Sequence, residues 1–210
     1  MPGKKTPTPQ ARITTRALTR KDWPIIERLF GSNGACGGCW CMLWRAKQGG
    51  KAFEASKGEP NRRALKRLVT GGQVFGALAF HEDEAVGWCS VGPRAGFPGL
   101  QRSRVLQTDW RATTWSVTCF YIPTRWRHRG VAGALLREAV NVARDNGATE
   151  LEAYPVTPSK SGSHEIPAAF AWTGVQRLFE KLRFRPLDRP EQTRIVYVRR
   201  FRSRSGRRAP

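Results

Sequence analysis

Arg127-His128-Arg129-Gly130-Val131-Ala132 separates an apolar run, Trp115–Pro123, from a segment whose helical periodicity starts at Val131. Upstream, Trp115, Val117, Cys119 and Tyr121 alternate with Ser116, Thr118, Phe120 and Ile122, and β-branched and aromatic residues dominate, which predicts a strand ended by Pro123. Downstream, Val131, Leu135, Leu136, Ala139, Val140 and Ala143 recur at helical spacing, with Arg137, Glu138, Arg144 and Asp145 on the other side. Gly147 stands where a left-handed cap belongs, and a further strand, Glu150–Val156, begins at once. The unit is strand–loop–helix–strand of the parallel kind. A helix start leaves N–H groups unpaired and adds about half a positive charge. Arg127 and Arg129 add full charges there, and Gly130 removes the Cβ that would keep a ligand at a distance. A pyrophosphate fits this constellation.

Arg127-x-x-Gly130-x-Ala132 resembles the acetyl-CoA signature of the GNAT superfamily of N-acetyltransferases, in which Arg or Gln is followed by two residues, Gly, one residue and Gly or Ala; Gly133, Leu135 and Leu136 continue it. Leu178-Phe179-Glu180-Lys181-Leu182-Arg183-Phe184 resembles the "LYEKLGF" helix end of the same superfamily, in the right order and at the right distance. There are two departures. Phe179 stands where the family often has the Tyr that protonates the leaving thiolate, and Arg183 replaces the usual Gly. The Cys36–Cys41 stretch, Trp88–Val91 with Pro93-Arg94, and Ala171–Gly174 resemble a bacterial subgroup, which implies no substrate.

The resemblance implies an α/β fold with a mixed sheet, the acyl-CoA N-acyltransferase fold, in the order β-α-α-β-β-β-α-β-α-β-β. It implies direct transfer of an acetyl group from acetyl-CoA to a primary amine of a small molecule or protein, with no covalent enzyme intermediate. The sheet should splay between Trp115–Pro123 and Glu150–Val156. Backbone groups of Phe120, Tyr121 and Ile122 would then pair with the pantetheine arm. Amides of Arg127, His128, Arg129, Gly130, Val131, Ala132 and Gly133 would surround the pyrophosphate.

An alkylamine must lose its proton before attack, which costs about 4–5 kcal/mol at neutral pH if nothing assists. Glu152 on the splayed strand, Tyr154 at its end and Glu165, beside His164, are the candidate catalytic groups; Tyr154 is also the candidate acid, given Phe179. Solvent exposure of Glu152 and packing of Tyr154 are the alternatives. Gly34–Arg45 falls where the family builds its acceptor pocket, and Trp40 and Trp44 in it are candidate substrate-binding residues or apolar anchors under the loop. The same stretch holds Cys36, Cys39 and Cys41. C-x₂-C-x-C lacks a nearby fourth ligand for zinc, so reduced thiols are expected and no metal is assigned; redox chemistry is the remaining alternative. Cys89 and Cys119 fall in expected strands and read as core.

A chain of 210 residues suits one domain, and the longest apolar run, Phe75–Phe80, is too short to span a bilayer. No secretory pattern follows Lys4 and Lys5, so the cytoplasm is the expected compartment, with no membrane partner. Residues 1–11 read as a disordered basic lead-in, 12–198 as the acetyltransferase domain, and 199–210 as a disordered Arg-rich tail. Before the central strand the pattern gives a strand at Arg12–Leu18, a helix from Thr19 or Asp22 to Phe30, a basic helix at Asn61–Val69, and a hairpin of Phe75–His81 with Ala85–Val91. The net charge of +21 exceeds what coenzyme A can balance, so loose, salt-sensitive binding of polyanions is expected through the surface and tail. An acyl-CoA sensor without turnover and a basic nucleic-acid or ribosome-associated module are the rival readings. The acceptor, the acyl length and the oligomeric state, a homodimer included, stay open.

Overall fold

The structure is a computed structural model and describes residues 12–156, 173–188 and 194–202. Seven strands form one sheet: β1 (Ile13–Ala17), β2 (Phe75–His81), β3 (Glu84–Pro93), β4 (Thr114–Tyr121), β5 (Glu150–Ala153), β6 (Arg185–Pro186) and β7 (Tyr197–Arg200). Their order is β1-β2-β3-β4-β5-β7-β6. Among the described strand pairs only β4–β5 is parallel, because β4 and β5 are joined through a helix, whereas β2 and β3 are joined by a tight hairpin. The helices are α1 (Trp23–Phe30), α2 (Lys51–Ala55), α3 (Glu59–Thr70), α4 (Pro98–Arg102), α5 (Val131–Asp145) and α6 (Gln176–Glu180).

Side-chain alternation gives the sheet two apolar faces. On one, Ala77, Cys89, Val91, Val117, Leu151 and Ala153 join Leu135, Leu136, Ala139 and Ala143 of α5, with Phe179 and Phe184. On the other, Leu78 and Trp88 join Ile26, Leu29 and Phe30 of α1, Leu65 and Val69 of α3, and Trp40. A third cluster lies toward the β5–β7 side, where Tyr154 and Val198 meet Phe97, Leu100 and Leu106. The stretch 93–106 therefore contributes core. Its short helix α4 escapes the sequence reading because five residues hold no helical period.

Gly87 on β3 sets how closely α5 approaches the sheet. A Cβ there would lie 2.8 Å from Val131 Cγ1 and 2.9 Å from Leu135 Cδ1. Gly87→Ala is therefore expected to destabilise the fold by about 1–3 kcal/mol through overpacking, as measured by denaturant titration. Pro24 falls in the first turn of α1, where its missing N–H costs nothing. Asp22 does not cap that helix with its side chain: its carboxylate takes two hydrogen bonds from Arg16 and one from the Thr19 amide, all at 2.7 Å.

Two of the departures from the expected boundaries bear on the site. β5 stops at Ala153 rather than Val156, since Pro155 removes a ladder donor; Val156 makes an isolated parallel bridge to Val175. β7 takes in Arg199 and Arg200, pairing them with Leu151 and Glu150, so the two arginines counted with the tail belong to the sheet. Residues 1–11 and 203–210 lie outside the described residues. Among those described, no helix is long and apolar enough to cross a membrane.

Candidate active site

β4 and β5 pair only from Thr114–Glu150 to Val117–Ala153. Beyond that point Thr118–Tyr121 has no partner on the β5 side among the described residues, while the β3 side remains paired through Tyr121–Trp88. Among the described residues, half of a central strand thus presents an open main-chain edge inside the sheet. A bulge falls at the same level: Ser90 pairs with Cys119 and Val91 with Val117, leaving Thr118 as the extra residue. Phe120 and Ile122 turn their side chains toward the α5 core, and Tyr121 turns toward α1, its ring edge-on to Phe30 at 5.3 Å. The residues expected along a pantetheine arm therefore commit their side chains to core and leave their backbone at the edge.

The edge leads to the N-terminus of α5. A 3₁₀ turn at Thr124–Trp126 buries Trp126, and the Arg129 guanidinium lies 5.4 Å from its ring centre. Arg127 Nε donates to the Ile122 carbonyl at 3.1 Å, which ties the loop back to the strand end. His128 and Gly130 take positive φ, +59° and +81°, so the chain turns twice before the helix begins. The first helical hydrogen bond runs from Ala134 N to Gly130 O. The amides of Val131, Ala132 and Gly133 thus have no backbone acceptor among the described residues, and His128, Arg129 and Gly130 are exposed. This is an anion-binding geometry with an open approach.

The candidate catalytic groups come together on the face opposite α5. Glu152 on β5 and Tyr154 just past its end, two residues apart, point the same way and are both buried. Glu152 accepts hydrogen bonds from Tyr154 Oη at 2.6 Å, Thr108 Oγ1 at 2.5 Å and Arg94 Nε at 2.8 Å. Tyr154 Oη also lies 2.8 Å from Ser116 Oγ. Glu152 is therefore not solvent-facing and Tyr154 is not merely packed. Burial, and then the nearby Glu152 charge, push the Tyr154 phenol well above its ordinary value, so it stays protonated. The network borders a cleft of about 820 Å³ lined by Arg94, Thr108, Trp110, Glu150, Glu152 and Arg200, among others. Glu165 lies outside the described residues.

Arg94, 1% exposed, was not among the expected site residues. The signal was available: a Glu inside Leu151-Glu152-Ala153-Tyr154, on a strand covered on both faces, requires a buried cation. Phe179 is fully buried against Phe120 and Phe184, on the α5 side of the sheet. Trp40, at 5% exposure, packs its ring against Trp23 and Phe30, so it serves as an anchor of the core; Trp44 is half-buried beside Gly99. Arg45 was also missed. It lies 3.3 Å from Ser90 Oγ and 4.4 Å from the Phe97 ring centre, and burial lowers its pKa to about 10.

The model of the acetyltransferase (GNAT) family matches residues 41–165, which include the half-open strand and the α5 loop. Among solved structures, a GCN5-related N-acetyltransferase from Kribbella flavida is 18% identical, with 92% of this chain and 100% of that one covered and a TM-score of 0.52. The PaiA N-acetyltransferase of Thermoplasma acidophilum, solved with coenzyme A, is 14% identical, with 90% and 99% covered and a TM-score of 0.51. yncA of Salmonella typhimurium, with its cofactor acetyl-CoA, is 14% identical, with 94% and 99% covered and a TM-score of 0.50. At such identities these likenesses speak for the fold. No curated protein matches the chain. The family match spans more than half of the sequence and holds the strand, loop and helix just described: the chain belongs to the acetyltransferase (GNAT) family.

Proposed function

We propose that this protein transfers an acetyl group from acetyl-CoA directly to a primary amine of a small molecule or protein. The observation that carries the proposal is the edge of Thr118–Tyr121 running into the amides at the start of α5, both without a main-chain partner on that side among the described residues. Such an edge accepts an extended amide-bearing chain as an added strand, and the pantetheine arm is one. Val131, Ala132 and Gly133 would hold the pyrophosphate by their amides, with Arg127, His128 and Arg129 beside it. The thioester supplies an activated acetyl carbonyl; the chain positions it at the end of the β4–β5 pairing.

The acceptor would approach from the face that carries the buried network. Ser116, at the level of Glu152, and Tyr154, just past the last pair, put hydroxyl groups at the point where the strands part. Tyr154, held protonated, donates to Glu152, and Glu152 is held by Arg94 and Thr108. In this reading Ser116 and Tyr154 hand the amine proton toward Glu152, and Tyr154 serves the departing thiolate in place of the tyrosine that Phe179 replaces. The basic surface supports loose binding of polyanions in addition, and an acceptor protein or substrate of acidic character would gain from it.

Release of free thiol from acetyl-CoA in the presence of a panel of amines tests the activity; saturable binding without thiol release across the panel would leave the sensor reading instead. Tyr154→Phe is expected to lower turnover at least tenfold while changing acetyl-CoA affinity less than threefold. Undiminished turnover would remove Tyr154 from the reaction.

A further inference from the structure

Two of the cysteines, one read from sequence as a loop thiol and the other as a core residue, are brought together by the fold. Cys41, in the segment between α1 and α2, has its Sγ 3.8 Å from Cys119 Sγ, across 78 positions of chain. Cys119 lies on the half of β4 that β5 leaves unpaired, and its side chain joins the face that packs α1. The inter-helix segment reaches this contact in a constrained conformation: Trp40 and Cys41 both take positive φ, +41° and +52°, a region that side chains bearing a Cβ rarely adopt. Trp40 is locked between Trp23 and Phe30, so the surrounding core fixes the turn that aims Cys41 at β4. The Arg45 guanidinium is close enough for Cys41 and Cys119 to act on its charge, so any thiolate formed in the pair has a cation beside it. Cys36 is exposed, and the Cys39 thiol is directed to the Gly34 carbonyl at 3.9 Å, within its own loop.

We propose that Cys41 and Cys119 form a reversible thiol–disulfide site that locks the inter-helix segment onto the open half of β4. The oxidant is a low-molecular-weight disulfide. Cys119, half-buried, is the more accessible of the two thiols and reacts first: its thiolate attacks one sulfur of the small disulfide, a mixed disulfide forms, and one small thiolate leaves and takes up the Cys119 proton. Burial and the neighbouring thiol hold Cys41 protonated until then. Cys41 next gives up its proton to the second leaving thiolate and attacks the Cys119 sulfur, closing the intramolecular bond. Two electrons and two protons pass from the protein to the oxidant, which becomes two thiols. The bond fastens a segment bordering the acceptor side to a strand that lines the acetyl-CoA position, so oxidation is expected to suppress transfer. That consequence rests on the acetyltransferase reading; formation of the bond does not.

The test is titration of the full chain with oxidised glutathione, followed by intact mass and by peptide mapping under non-reducing conditions. The expected product has lost two hydrogens and yields a Cys41–Cys119 linked peptide, and dithiothreitol restores the original mass. Cys41→Ser should stop at a mixed disulfide on Cys119, whereas Cys36→Ser with Cys39→Ser should still form the bond. Thiol release assayed alongside should fall at least fivefold on oxidation in the wild-type chain and recover on reduction. A dominant Cys36–Cys39 bond, or no loss of two hydrogens, overturns the site. A formed Cys41–Cys119 bond with unchanged turnover overturns the lock and keeps the bond. A formed bond in a chain that releases no thiol even when reduced keeps the site and counts against the activity.

Discussion

Gly130→Glu is expected to abolish acetyl-CoA binding, with affinity down by at least a hundredfold in titration calorimetry, while the fold survives. Gly130 precedes α5 at φ +81° and ψ −2°, and the free amides of Val131, Ala132 and Gly133 follow it. Two effects combine in the replacement. The positive φ costs a non-glycine residue about 1–2 kcal/mol, which lowers stability without preventing folding. The new carboxylate then stands where the proposed diphosphate would lie. At about 5 Å and an effective dielectric of about 20, each pair of like charges costs about 3 kcal/mol, more than a hundredfold in affinity. Gly130→Asn separates the two, because asparagine tolerates the left-handed region and carries no charge; it should bind within about tenfold of wild type. Equal binding by wild type and Gly130→Glu would take the diphosphate away from this helix end.

What was legible in the sequence follows how local each determinant is. The strand Trp115–Pro123, the loop and the helix from Val131 are each set by neighbours within one turn or one pleat, and they appear in the structure within about two residues of their expected limits. The hairpin of β2 and β3 is local in the same sense. The partners of Glu152 and Cys119 are not. Arg94 reaches Glu152 across 58 positions and Cys41 reaches Cys119 across 78, and nothing in the pattern around either member names the other. The end of β5 was misjudged because apolar character continues through Val156 while Pro155 ends the ladder, so hydrophobicity and hydrogen-bonding capacity disagree there. Trp40 shows a further limit. An aromatic residue in a loop stacks on a ligand or on a core, and its neighbours Trp23 and Phe30, not its own position, decide which.

The buried ion pair makes the second strong demand on the chain. Arg94→Met is expected to cost about 3–5 kcal/mol of stability, because Glu152, 2% exposed, would lose its only buried cation among the described residues. Tyr154 and Thr108 would still donate to it, but two neutral hydroxyls do not replace a guanidinium beside so deeply buried a carboxylate. Removing both charges behaves differently: Arg94→Met together with Glu152→Leu leaves neither ion stranded and should regain more than half of the loss. Urea midpoints at constant slope, with the Glu152→Leu single variant added, measure all four chains and close the cycle. A loss below about 1 kcal/mol for Arg94→Met would mean that water reaches Glu152 through the adjoining cleft. The double variant also separates fold from function. Its stability returns, yet Tyr154 has lost the acceptor that orients its hydroxyl, so turnover should stay as low as in Tyr154→Phe. If instead the double variant is both stable and fully active, Arg94 and Glu152 hold the sheet against the 94–110 segment and take no part in moving the proton.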